Sequence, residues 1–268
     1  MAFADSKGNR IYYDDQGAGE PVFLCLTGWC VHQTIFSPLA ARLSAQHRVL
    51  AMDWRGHGKS QTPDQDFGYT DMLADVLSVI ESSGAHSVIP IAQAHGGWAA
   101  IELRRRLGRR VPKMISISWN PICIDGDPLT SPFLRARQAL QDKIRWQETL
   151  EQMLTSWVSH APGSVEAHIR TEMESHGFED WARAGREISA MYARHGDPLR
   201  ALSQLTPPMP VLHVYAEPRT PEYLSAQESF ARDHSWFAVR RLESVSHFPT
   251  IEVPDQVASV IREFAGCE

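Results

Sequence analysis

The segment Val22-Phe23-Leu24-Cys25-Leu26 is apolar at every position, the pattern of a strand buried on both faces. Such a strand needs helices above and below it, which constrains the chain to a layered α/β design. Arg48-Val49-Leu50-Ala51-Met52, Ser87-Val88-Ile89-Pro90-Ile91 and Met114-Ile115-Ser116-Ile117-Ser118 repeat the pattern, after an opening strand at 10–14. Helical stretches over 36–45, 69–83 and 98–107 separate them. In the second, Met72, Leu73, Val76, Val79 and Ile80 recur at the helical period. From 121 to 204 no strand-like run occurs, only helical stretches broken by Pro and Gly. Val211-Leu212-His213-Val214-Tyr215 then resumes the sheet, followed by a helix at 222–233, a strand at 236–242 and a helix at 255–264. The expected fold is α/β, with a mostly parallel eight-stranded sheet. The core spans 1–120 and 205–268, and a helical cap, 121–204, enters after the sixth strand.

With 268 residues, 43% of them hydrophobic, the chain can bury a sizeable core. No apolar run approaches the ~20 residues of a membrane helix, and the first residues carry no basic flank followed by an apolar stretch. Cys25, Cys30, Cys123 and Cys267 are too scattered for a disulfide scaffold, so a reducing, cytoplasmic setting is expected. A net charge of −6 argues against nucleic acid as partner. Arg104-Arg105-Arg106 with Arg109-Arg110 reads as a solvated helix end helped by the C-terminal dipole. HExxH, CxxC, GxGxxG and GxxxxGK[ST] motifs are all missing, so no metal or nucleotide cofactor is expected.

Three segments carry candidate chemistry. Thr27-Gly28-Trp29-Cys30-Val31-His32 follows a buried strand, where glycine lets backbone N–H groups turn toward a cavity. Ala92-Gln93-Ala94-His95-Gly96-Gly97-Trp98 has the layout of the G-x-S-x-G nucleophile elbow, with Ala94 at the nucleophile position. A methyl group cannot attack a carbonyl, so acyl transfer through this elbow is excluded. Ser244-Val245-Ser246-His247-Phe248-Pro249 places His247 after the final strand, the base position in the order nucleophile, acid, base. Asp53-Trp54-Arg55-Gly56-His57-Gly58-Lys59-Ser60 reads as a structural loop.

Together these segments resemble an α/β-hydrolase-fold protein over essentially the whole chain. Gly28-Trp29-Cys30, the strand context of Asn120, His95-Gly96-Gly97-Trp98 and His247-Phe248-Pro249 resemble the cofactor-independent 2,4-dioxygenases of 3-hydroxy-4(1H)-quinolones. Gly177-Phe178-Glu179-Asp180-Trp181, Gly185-Arg186, Met191-Tyr192-Ala193-Arg194 and Glu217-Pro218 through Pro221-Glu222-Tyr223 extend the likeness. The resemblance implies ring cleavage by dioxygen as co-substrate, with carbon monoxide released, an N-acylanthranilate left, and no metal or organic cofactor. His247 is then the base for the 3-hydroxyl proton, and the amides of Trp29 and His95 form an oxyanion hole. Gln93, Ala94, Trp157, Trp181 and Tyr192 line the pocket, and His32 lies one residue off a family pocket histidine. The chain departs from the family twice. Ala94 stands where relatives carry serine. Ser118, beside Trp119, stands where they carry the carboxylate that orients the histidine, which leaves Ser118, Asn120 and Asp125 as alternatives.

The expected substrate is a 2-alkyl-3-hydroxy-4(1H)-quinolone, with the 2-heptyl quorum-sensing signal favoured over the 2-methyl compound. Met153, Leu154, Trp157, Met173, Phe178 and Met191 supply the cap with flexible and bulky apolar material. Two rivals stand beside this reading: an esterase or lyase using His247 without a serine nucleophile, and a non-catalytic sensor of an aromatic ligand.

Overall fold

The structure, a computed structural model, describes residues 2–119 and 131–266. Its strands are β1 (Ala2–Ser6), β2 (Asn9–Gln16), β3 (Val22–Leu26), β4 (Val49–Met52), β5 (Val88–Gln93), β6 (Met114–Ile117), β7 (Val211–Tyr215) and β8 (Phe237–Arg241). They form one sheet in the order β1-β2-β4-β3-β5-β6-β7-β8. β1 and β2 pair antiparallel with each other, as do β2 and β4, and all later pairings are parallel. Every residue of β3 to β7 is buried, as wholly apolar runs require. The opening strand expected at 10–14 is the longer β2, and β1 is an addition. Only Ala4 and Ser6 of β1 face inward while Phe3 is exposed, so its apolar alternation is too weak to read. Lys7 and Gly8, both at positive φ, close the hairpin as a tight turn demands.

Helices α1 (Ser37–Leu43), α2 (Tyr69–Ser83) and α3 (Gly96–Leu107) follow the early strands. The cap, between β6 and β7, contains α4 (Pro132–Ala139), α5 (Trp146–Val158), α6 (Gly163–Glu174), α7 (Phe178–His195) and α8 (Pro198–Ser203). α9 (Pro221–Asp233), α10 (Pro249–Glu252) and α11 (Pro254–Ala265) complete the core. The cap boundary expected at 121 lies outside the described residues, with Asn120, Cys123, Asp125 and Cys267. No helix among the described residues is long and apolar enough to cross a membrane.

The Asp53–Ser60 loop is held from within. Asp53 accepts the backbone N–H groups of Gln33 and Lys59, at 2.8 and 2.9 Å. Arg55 makes a two-pronged ion pair with Asp75 of α2, at 2.7 and 2.5 Å, and both side chains are buried. The basic run at the end of α3 is only partly a solvated face. Arg105, Arg106, Arg109 and Arg110 are exposed. Arg104 instead folds inward and donates to the carbonyls of Gly108, Val111 and Pro207, which supply the acceptors its buried guanidinium needs.

Candidate active site

A cavity of about 820 Å³ opens at the carboxyl ends of the parallel strands, beneath the cap, where ligands of open α/β sheets bind. Its floor begins with the turn from β5 into α3. Ala94 sits there at φ 47°, a left-handed conformation that strains a residue with a Cβ. Gly96 and Gly97 make the turn feasible. A Cβ at Gly96 would lie 2.6 Å from the carbonyl oxygens of Leu26 and Thr27, and one at Gly97 would lie 2.1 Å from the Trp119 ring. The sharp elbow is therefore intact, and it presents a methyl group.

Beside it, Trp29 follows β3 and His95 precedes α3, and both line the cavity. Their backbone N–H groups donate to no acceptor among the described residues, which leaves two donors available to an oxyanion. Tyr69, which the sequence reading missed, ties the pair together. Its hydroxyl accepts from Trp29 Nε1 at 3.2 Å and donates to the His95 carbonyl at 3.1 Å.

His247 is half-buried against the cavity, its ring stacked on Trp157 with centroids 5.2 Å apart. Its N–H donates to the Trp157 carbonyl at 3.0 Å, and its own carbonyl accepts from Gln93 Nε2 at 3.0 Å. Burial, reinforced by the nearby Arg137 guanidinium, pushes the imidazole pKa down to about 4. The ring is thus neutral at pH 7 and able to accept a proton. His95 is pushed well down for the same reasons, burial first, with Arg137 and His247 adding to it.

Gln93, Ala94, Ser118, Trp157, Trp181 and Tyr192 join Trp29, His95 and His247 around this cavity. The geometry bears on three of the expected roles. His32 does not line the cavity: its backbone N–H donates to Glu172 at 3.0 Å and its ring packs edge-on to His176, which turns it into the cap–core seam. Gln93 spends its amide on the His247 carbonyl and on Thr250, so it positions the base. Ser118, at φ 48°, has a buried hydroxyl with no hydrogen-bond partner among the described residues, so its hydroxyl makes no hydrogen bond to His247. An oxygen one bond from Cβ stops short of the imidazole. Asn120 and Asp125, the alternatives, lie outside the described residues.

One cluster outside the cavity has metal-ligating side chains. Donor atoms of Cys30, His57 and His176 lie within 4.8 Å of one another. Both His57 nitrogens are already engaged, Nε2 accepting from the Cys30 N–H and Nδ1 paired with the Arg55 carbonyl, each at 3.0 Å. A metal there would have to break the first of these bonds.

The model of the alpha/beta hydrolase family matches residues 23–260. A 2-heptyl-3-hydroxy-4(1H)-quinolone dioxygenase of Mycobacteroides abscessus is 37% identical over 255 residues, 94% of this chain and 93% of that protein. A 1H-3-hydroxy-4-oxoquinoline 2,4-dioxygenase of Pseudomonas putida is 33% identical, over 98% of this chain and 99% of its own. The chain belongs to the 3-hydroxy-4-quinolone dioxygenase family. Among solved structures, an AqdC variant in complex with its substrate, from work on recognition and ring cleavage of the Pseudomonas quinolone signal, superposes with a TM-score of 0.90. It is 35% identical and covers 99% of each chain.

For a member of this dioxygenase family, one further cavity residue stands out, and the sequence reading passed over it. Arg137 points from α4 into the cavity although it is only 5% exposed. A signal existed: Leu134, Arg137 and Leu140 share one face at helical spacing, which sets a charge among apolar neighbours.

Proposed function

We propose that the protein is a 2,4-dioxygenase of 2-alkyl-3-hydroxy-4(1H)-quinolones that works without metal or organic cofactor. His247 removes the 3-hydroxyl proton. The electron-rich anion adds dioxygen at the 2-position, and the peroxide closes onto the 4-carbonyl. The O–O bond and the C2–C3 and C3–C4 bonds then break, so that C3 leaves as carbon monoxide and one dioxygen atom stays on each of C2 and C4 in the N-acylanthranilate. The single observation that carries this reading is a neutral buried base beside two free backbone donors, above an elbow whose nucleophile is a methyl group. A base with no nucleophile suits a reaction begun by proton abstraction and not by acyl transfer. The named relatives act on 3-hydroxy-4-quinolones.

We infer a preference for the heptyl-bearing substrate over the methyl one. About 820 Å³ exceeds what a bicyclic ring fills, and Leu140, Met153, Met173 and Ile188 line the excess with adaptable apolar surface. The test is dioxygen uptake and carbon monoxide release by chelator-treated protein, with 2-heptyl- and 2-methyl-3-hydroxy-4(1H)-quinolone compared. Stoichiometric exchange of the two gases, faster with the heptyl compound, is expected. Ester hydrolysis without dioxygen, or tight binding without gas exchange, would overturn the reading.

A further inference from the structure

The buried arginines of this protein are not treated alike. Arg55 is matched by Asp75, and Arg104 by three carbonyls. Arg137 has no carboxylate within ion-pair distance among the described residues. Its Nη1 donates to the thioether of Met153 at 2.9 Å, a weak acceptor, and its buried Nε has no partner among the described residues. The guanidinium lies 4.4 Å over the Phe133 ring and 5.9 Å from the centre of Trp157, whose other neighbour is the His247 ring. A guanidinium held out of water without an anion is costly, and among the described residues only an aromatic face and a thioether offset that cost. What is missing is a planar anionic acceptor, and the cavity is where it would come from.

We propose that Arg137 binds the deprotonated substrate, its planar fork spanning the adjacent oxygens at C3 and C4 of the 3-hydroxy-4-quinolone anion. This rests on the dioxygenase reading and deepens it. Two vicinal oxygens sharing one negative charge match guanidinium geometry as a carboxylate does. The assignment also accounts for Ser118. With no carboxylate behind His247 among the described residues, an imidazolium gains little support there, and a cation beside it disfavours it further. The negative charge created when the proton leaves the 3-hydroxyl for His247 is instead neutralised directly by Arg137.

The experiment is an anaerobic titration of bound 2-heptyl-3-hydroxy-4(1H)-quinolone, following the absorbance of its anion from pH 6 to 9. It compares the parent protein with Arg137→Gln, Arg137→Lys and Arg137→Met, with turnover measured in air alongside. The parent should hold the ligand as anion at a pH where free ligand is neutral. Arg137→Gln and Arg137→Met should raise the apparent pKa of the bound 3-hydroxyl by one unit or more and lower kcat at least tenfold, and Arg137→Lys should restore part of both. Arg137→Met, which relieves an unpaired charge, should melt no lower than the parent, whereas a merely structural arginine would lower the melting temperature on replacement. Identical ligand ionisation in the parent and Arg137→Gln, with the parent turning over quinolone, would overturn the role of Arg137 alone. A parent that neither binds nor cleaves quinolone would overturn both readings together.

Discussion

In the proposed reaction His247 is the base, its ring has no hydrogen bond among the described residues, and its environment sets its pH behaviour. A general base must be neutral to act, and burial with Arg137 nearby holds the imidazole pKa down to about 4. Activity should therefore persist as pH falls from 7 through 5 and drop only as it nears 4, measured as kcat/KM on protein shown to be folded. An acid limb near 6.5 would contradict that environment. His247→Ala should lose more than about 100-fold in turnover, the ordinary share of a general base, while anaerobic substrate binding survives. Tyr69 acts through its neighbours, since it bridges Trp29 and the His95 carbonyl. Tyr69→Phe should lower kcat by about tenfold with KM little changed, because two donors that drift apart lose alignment. Steady-state kinetics on the pair of proteins checks this.

At the level of elements, the strand–turn–helix unit from β5 to α3 was legible because its demands are local. Small residues at Ala92, Gly96 and Gly97 announce a crowded turn, and the clashes a Cβ would make at the two glycines are the physical content of that signal. The histidine loop after β8 was legible from its place in chain order. What the sequence hid depends on partners far along the chain. Tyr69 reaches His95, Gln93 reaches His247, and Arg137 meets Trp157 and Met153 only once α4 and α5 are packed. His32 was misplaced because a one-residue offset after β3 turns a side chain from the cavity to the seam with α6. The Arg55–Asp75 pair fixes α2 to the loop after β4. Asp75→Ala would strand a buried guanidinium and should cost about 3–5 kcal/mol of unfolding free energy in urea titration.

The molecule as a whole should be sensitive to mild acid. His57, His213 and His247 are all buried neutral, with pKa values pushed down chiefly by burial to about 3, 4 and 4. In the unfolded chain each takes up a proton near pH 6.5. Between that pH and the folded values the unfolded state binds more protons, so stability rises with pH and falls as pH drops. Their contribution is complete above about pH 6.5 and is lost progressively toward pH 4, at roughly 1.4 kcal/mol per unit for each group. The melting temperature should hold from pH 7.5 to about 6.5 and fall from there to pH 5, and a flat profile below 6.5 would count against neutral desolvated imidazoles. One bond links this global picture to catalysis. The Trp157 carbonyl lies in the last turn of α5, where helix acceptors lack internal partners, and the N–H that fills it belongs to His247. Roof and base are thereby one interlock. Swinging α5 outward to admit a ring severs this bond and separates the two stacked rings in a single motion. In the proposed reaction, closing the roof and seating the base are then a single event.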